Sequence, residues 1–337
     1  MMRPMPAGPP PLRYLASDDV VACMPPIGER LALAERALRA LVADADMPPK
    51  IGIHAREPAT FAHAMPAYLR GVVADGSADA MGMKWVSGSP ANNERGLAAV
   101  NAIVVLNDPL TALPIAIMDG TPITAQRTAA VSGVAIRRFA PWAERPLRAA
   151  LIGAGTQARA HLPVLGHVAP GVEVVVHDRH PERAKAVVAE GARTEGLGRV
   201  VAASSAREAI DGADIVLTLA TFTTPDRRQM MTLDWLGPEA LVVAVDYDTM
   251  CAAEVAADAA LFLVDDRGQF LANRDAGSFA GYPDPSATIG EALIAGTARP
   301  TGRVVVSHLG VGLADVVFGA AILATAAAAG RGILLPR

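Results

Sequence analysis

The spacing of apolar positions changes twice along the chain, and the changes mark its parts. Residues 27–45 place Leu31, Leu33, Ala34, Leu38 and Leu41 against Glu and Arg, which predicts an amphipathic helix ended by Met47-Pro-Pro49. From Lys50 to Pro122 the runs are shorter, with strands expected at 51–54, 83–86, 102–106 and 115–118 and a turn at Asn107-Asp108-Pro109. Residues 124–140 return to helical spacing, with Thr124 as the expected cap and Pro141 as the stop. Beyond Pro146, apolar runs at 214–220, 241–245, 261–264 and 304–306 lack alternation, as expected of parallel strands covered on both faces. Ser205 and Glu208 form a capping-box pattern, and a final apolar helix is expected from about Ala314.

The most informative stretch is 147–178. An apolar run, 149–152, breaks at Gly153-Ala-Gly155-Thr156-Gln157-Ala158. A helical pattern then places Ala158, Leu162, Leu165 and Val168 on one face, and a β-rich run at 172–176 leads to Asp178. Strand, glycine turn, helix, strand and acid in this register form the fingerprint of a dinucleotide-binding βαβ unit. Gly153 permits the tight turn, Gly155 lets the backbone approach a pyrophosphate, and Ala158 allows close packing of helix on strand. The N–H groups of the first helical turn, at Thr156 and Gln157, face the phosphates. Asp178 suits the ribose hydroxyls and favours NAD, whereas Arg179 offers a partner to a 2′-phosphate and keeps NADP open.

Composition narrows the class. A chain of 337 residues, 52% hydrophobic and 19% charged, has room for two domains and reads as soluble and globular. The net charge of −4 with scattered Lys and Arg provides no basic stripe for nucleic acid. Two cysteines, Cys23 and Cys251, support no disulfide framework and fit a reducing cytoplasm. The proline-rich start, residues 1–13, has no apolar core of a signal peptide and reads as a loose tail. Residues 316–329 are too few to span a bilayer, so no membrane partner is expected. The seven histidines show no metal-ligand spacing, and no GxSxG element suggests acyl transfer.

Several polar residues stand in apolar company. Lys84, in Met83-Lys84-Trp85-Val86, is either an outward residue of an edge strand or a partly buried amine with a depressed pKa. Arg127, one turn into a small-residue helix, is either a surface residue or a carboxylate clamp. Asp248 follows a strand at the carboxyl edge where open α/β sheets place ligands, and an Asp there also caps turns. His63 on its own reads as a structural residue.

Taken in order, Met65-Pro66-Ala67, Gly82-x-Lys84-Trp85-Val86-Ser87, Pro90-x-Asn92, Gly96, Leu106-Asn107-Asp108, Pro114, Thr124-x-x-Arg127-Thr128-Ala129-Ala130 and Gly153-x-Gly155-x-Gln157-Ala158 resemble the ornithine cyclodeaminase/μ-crystallin family of NAD(P)-dependent enzymes. The resemblance continues through Ala244-Val-x-x-Asp248, Glu254, Ile289-Gly290-Glu291 and Gly310-x-x-x-x-Asp315, nearly the whole chain. It implies an α/β fold: a Rossmann-type doubly wound parallel sheet over 128–309, and a smaller α+β substrate and dimerisation domain over 1–127, completed by 310–337. It implies that Lys84 and Arg127 bind the α-carboxylate of an amino acid and that Asp248 is the acid/base beside the reacting nitrogen. Lys50 stands where arginine is usual, with Arg56 six residues on. Met65, Thr128 and Gly310 are expected at the substrate, and Thr221 at the cofactor.

One departure bears on substrate. The family's cyclodeaminases carry a carboxylate two residues before the Met of Met-Pro to receive a distal ammonium, and here that place is His63. Asp246, in place of a usual glycine, offers another negative charge. The expected function is an NAD(P)-dependent oxidoreductase acting on the C–N bond of an L-amino acid or its imine. An ornithine or lysine cyclodeaminase, and a non-catalytic nucleotide-binding protein, are the alternatives.

Overall fold

A computed structural model of the chain describes residues 9–55, 60–71, 78–221 and 228–337. The chain divides into two compact units, residues 1–127 with 311–337, and residues 128–310. One junction falls within a helix and the other just before one.

The first unit opens with β1 (Leu12–Leu15), α1 (Ser17–Ala22), α2 (Ile27–Ala40), β2 (Ala45–Asp46) and β3 (Ile51–His54). It continues through β4 (Phe61–Leu69), β5 (Ala80–Gly88), β6 (Val100–Asn107), β7 (Pro114–Asp119) and the first two turns of α3 (Thr121–Phe139). Three expectations are corrected here. The proline-rich start is not all tail, because Leu12–Leu15 pairs with β7 in parallel. The amphipathic helix stops at Ala40, short of the expected 45, because Ala45 and Asp46 pair with Leu69 and Tyr68 instead. Thr124 is not a cap: α3 starts at Thr121, whose N–H is held by Asp119 Oδ1 at 2.8 Å. Thr124 donates its hydroxyl to Gly120 O, one turn back, at 2.8 Å.

Strand β4 has no counterpart among the expected strands, since its alanines and Pro66 mute the β signal. Pro66 is tolerated because β3 pairs with 61–64 and β2 with 68–69, which leaves it between the two. Only β5 runs beside it, with Pro66 opposite Met83.

The second unit carries β8 (Arg148–Ile152), α4 (Thr156–Val168), β9 (Val172–His177), α5 (Pro181–Gly191), β10 (Leu197–Ala202), α6 (Ala206–Ile210) and β11 (Ile215–Thr218). After these come β12 (Leu241–Ala244), α7 (Ala253–Asp258), β13 (Leu261–Val264), α8 (Arg267–Asp275), β14 (Ala287–Thr288), α9 (Ile289–Ile294) and β15 (Val304–Ser307). Its strands are parallel in the order β10-β9-β8-β11-β12-β15-β13-β14. The central strands β8, β11, β12 and β15 are almost wholly buried, which explains their unbroken apolar runs. The chain order reverses between β8 and β11, the switch point at which such sheets take ligands.

The chain then returns to the first unit as α10 (Gly312–Ala328) and β16 (Ile333–Leu335). Helix α10 packs on β4, β5, β6 and α2, and β16 pairs antiparallel with β1. The first sheet therefore runs β16-β1-β7-β6-β5-β4-β2, with β3 joined to β4. Gly312 is where helix meets sheet: a Cβ there would lie 2.6 Å from Met65 O. Among the described residues, no helix is long and apolar enough to cross a membrane.

Candidate functional site

In the second unit, the glycine turn lies between β8 and α4. Gly153 has φ +110°, and a Cβ there would meet Leu219 O at 2.6 Å, so two causes demand glycine. A Cβ on Gly155 would meet nothing within 4 Å, so its backbone lies open to an approaching group. Thr156 and Gln157 begin α4, and Ala158 is fully buried. Asp178, one residue beyond β9, accepts from Ala154 N at Oδ2 and His180 N at Oδ1, both at 2.8 Å. The half-buried carboxylate is thereby aimed at the turn, and each oxygen retains a lone pair for a hydroxyl. Arg179 is exposed. These residues fit a dinucleotide: a phosphate has helix N–H groups and an open glycine backbone, and a ribose has an acid.

Thr221 is exposed at the end of this strand–loop passage, and the residue before it is anchored by Asp246. Asp246 is buried, takes the Thr218 hydroxyl on Oδ1 and the Ala220 N–H on Oδ2 at 3.1 Å, and burial pushes its pKa up to about 7. Both oxygens thus accept from β11 and the residues after it, and the carboxylate is almost wholly buried. Two residues on, Asp248 Oδ2 accepts from Arg228 Nη1 at 2.7 Å and Phe279 N at 3.0 Å. It is held by a cation and a backbone donor, and it does not cap its own turn. Gly310, at φ +86°, gives its N–H to Asp265 Oδ2 at 2.6 Å and accepts from Gln269 Nε2 at 3.1 Å. Thr128 is buried near the start of the same unit.

The first unit concentrates charge in its interior. Lys84 is 1% exposed on the central strand β5, so the edge-strand alternative fails. Its Nζ lies 2.8 Å from Asp315 Oδ2 and donates to Thr124 Oγ1 at 3.4 Å. Arg127 gives Nε to Asp315 Oδ1 at 3.1 Å. One buried carboxylate from α10 therefore bridges two buried cations, from β5 and α3. A guanidinium engaged through Nε still has its Nη pair to offer a second carboxylate. Burial, and then the Arg127 charge, pull the Lys84 pKa down to about 7 against the opposing pull of Asp315. At neutral pH this cluster carries an excess of positive charge where water is scarce.

Met65 sits opposite Lys84 across the β4–β5 ladder and is buried. His63, two residues earlier on the same face of β4, is half-buried, with its ring 4.8 Å from that of Phe61. Burial and the nearby charge of Lys50 push its pKa down to about 4, so its imidazole is neutral at physiological pH. Lys50 is half-buried beside β3 and close enough to lower the pKa values of both His63 and Lys84. Arg56 lies outside the described residues. Among the described residues no group of three or more His, Cys, Asp or Glu is arranged to hold a metal ion.

The model of the ornithine cyclodeaminase/mu-crystallin family matches residues 18–275. The chain belongs to this family. Nodulation efficiency protein NfeD of Rhizobium meliloti is 31% identical over 332 residues, covering 96% of this chain and 98% of that one. The Δ1-pyrroline-2-carboxylate reductase of Thermococcus litoralis, solved with NADH and L-proline, superposes with a TM-score of 0.82 at 26% identity, over 96% of this chain and 100% of that one. An archaeal alanine dehydrogenase dimer with bound NAD gives 0.80 at 26% identity, over 96% and 99%. Relatives within the family are amino acid or imine oxidoreductases and cyclodeaminases.

Two members of these constellations were not singled out as site residues from sequence. Asp315 had a signal: it is the one charged residue in the otherwise apolar span of α10, and a lone acid on an apolar helix needs a buried counter-charge. Arg228 had none, since its partner Asp248 is twenty residues away and the pairing depends on the fold.

Proposed function

We propose that this chain is an NAD-dependent oxidoreductase acting on the C–N bond of an L-amino acid or its imine. The observation that carries the reading is the buried Lys84–Asp315–Arg127 cluster, two cations around one carboxylate. A desolvated excess of positive charge binds an anion strongly, and a planar guanidinium selects a carboxylate. In this reading Arg127 and Lys84 grip and orient the α-carboxylate, with Lys50 adding charge. Asp248 holds or accepts the proton at the reacting nitrogen. Gly153, Gly155, the start of α4 and Asp178 hold the dinucleotide, which supplies a hydride acceptor or donor when bound. The neutral His63 offers no charge for a distal ammonium, and the buried Asp246 already accepts from the protein on both oxygens, which favours a dehydrogenase or imine reductase over a cyclodeaminase.

The same unit supports a homodimer. On the sheet face opposite Lys84, the register aligns Ile51, Ala64, Trp85 and Ile103 across four strands, and Ile51, Trp85 and Ile103 are exposed. An apolar row of this breadth fits a second copy of the chain.

The test is one incubation of purified protein with L-amino acids and either NAD or NADP, following reduced nucleotide and ammonia together, and the reverse reaction with cyclic imines. Nucleotide reduction in step with ammonia, or imine-dependent oxidation, is expected, with NAD preferred. Asp248→Asn is expected to lower the rate by about 10²–10⁴. Ammonia released without net nucleotide change would make the chain a cyclodeaminase. Tight nucleotide binding with no turnover would leave it a binding protein.

A further inference from the structure

Beneath the glycine-turn helix, within the second unit, lies a buried polar chain to which the proposed reaction assigns no role. Ser132 on α3, His161 on α4 and His308 just after β15 are all 2% exposed or less. His161 Nδ1 is 2.7 Å from Gln157 O, and its Nε2 is 2.8 Å from Ser132 Oγ. On its other side Ser132 Oγ is 2.8 Å from His308 Nε2.

The chemistry of the partners dictates which way each bond runs. A carbonyl oxygen only accepts, so the His161 proton sits on Nδ1. Burial pushes the His161 pKa down to about 4, so the ring is neutral and its Nε2 is a lone pair. Ser132 therefore donates its one proton to His161, and what remains to it is to accept from Nε2–H of His308. The chain reads His308 to Ser132 to His161 to the Gln157 carbonyl, with no freedom to reverse. Gln157 is in the first turn of α4, the phosphate-facing end. His308 opens the strap 308–310, whose next carbonyl, Leu309 O, accepts from Tyr247 Oη at 3.2 Å. Both backbone groups of Gly310 are held by Asp265 and Gln269.

We infer that Ser132, His161 and His308 are positioning residues for the cofactor, forming a one-way hydrogen-bond chain that ties the glycine-turn helix to the immobilised strap 308–310. The inference rests on the nucleotide reading above. The setting of α4 determines where its N–H groups meet the pyrophosphate. Removing the middle hydroxyl leaves a buried donor and a buried acceptor facing each other without a bridge, and the helix relaxes to satisfy them.

The experiment is an NADH fluorescence titration of wild type, Ser132→Ala and Ser132→Thr, with steady-state kinetics and histidine 15N NMR on the wild type. Ser132→Ala is expected to raise the NADH Kd about tenfold, equivalent to about 1.4 kcal/mol, and to change kcat at saturating nucleotide about twofold or less. Ser132→Thr, which keeps the hydroxyl, is expected to restore the wild-type Kd. The spectra are expected to show His161 protonated on Nδ1 and His308 on Nε2, a readout that does not depend on any variant folding. An Nε2-protonated His161 overturns the inference. So does a Ser132→Ala protein that melts earlier but binds NADH as wild type does. Wild-type protein that binds no nucleotide removes the nucleotide reading and the cofactor role with it, whereas wild-type binding that Ser132→Ala leaves unchanged removes this inference alone.

Discussion

Replacing Asp315 by asparagine keeps the shape of the side chain and deletes the single negative charge between Lys84 and Arg127. Asp315 is fully buried, with Lys84 Nζ at 2.8 Å and Arg127 Nε at 3.1 Å. Leaving buried charge without its partner costs about 3–5 kcal/mol, and pH divides that cost between the two cations. Lys84 has its ordinary pKa of 10.5 when unfolded and about 7 when folded. Between those values the unfolded chain holds a proton that the folded chain lacks, so the stability of the first unit rises with pH across that window. Below about pH 7 both states hold the proton and the burial penalty is fully present. Without Asp315, which opposes the shift, the folded pKa drops further and the window extends to lower pH. At pH 6 the wild type keeps Lys84 protonated beside Asp315, whereas the variant must either give up that proton or bury two uncompensated cations. At pH 9 Lys84 is neutral in either protein, and the loss is confined to the partner of Arg127, about 1–3 kcal/mol. Urea unfolding can follow this locally, because Trp85 on β5 adjoins Lys84 and the other two tryptophans, Trp142 and Trp235, lie in the second unit. An Asp315→Asn cost that is the same at pH 6 and pH 9, or an unchanged midpoint at pH 6, would refute the charge assignment.

Two further outcomes follow from the first unit. A carboxylate ligand that binds beside Lys84 stabilises its protonated form, so binding at pH 8 is expected to take up a fraction of a proton and to weaken as pH rises above about 7. Calorimetry of an unreactive α-keto acid in two buffers of different ionisation enthalpy measures this, and buffer-independent heats would contradict it. Ile103→Glu is expected to shift the protein from dimer to monomer in light scattering without loss of secondary structure, since Ile103 is 44% exposed and lies next to Trp85 on the apolar row. A variant that stays dimeric would place the interface elsewhere.

Much of the second unit was legible because its signals are local. The glycine turn, the helix after it and Asp178 lie within one continuous stretch, and buried parallel strands announce themselves as unbroken apolar runs. The first unit was harder to read. Strand β4 contains a proline that is tolerated only because of where β2 and β3 end, and β1 is a strand only because β7 and β16 flank it. Helix α2 looked longer than it is, since the residues at 41–46 have no strong helix breaker and are claimed by pairing with the end of β4. At the sites the same contrast holds. Lys84 stood out as a lysine among strand-forming residues, but its burial depends on a strand order that no local pattern records. The partners Asp315 and Arg228 are 231 and 20 residues from the groups they bind, and only the fold brings them there.

The first unit is assembled from both ends of the chain, with α10 packed on β4 and β5 and β16 paired to β1. Vectorial synthesis therefore meets it in an awkward order. Domains made first ordinarily fold first, yet here the N-terminal sheet leaves the ribosome long before the helix that covers it. Residues 128–310 can complete their own parallel sheet while Lys84 still awaits Asp315. The segment made after residue 310 thus acts as the closing step for the first unit, and a message cut short at that residue would yield a finished nucleotide unit joined to an unfinished partner whose lysine has no counter-charge to bury against.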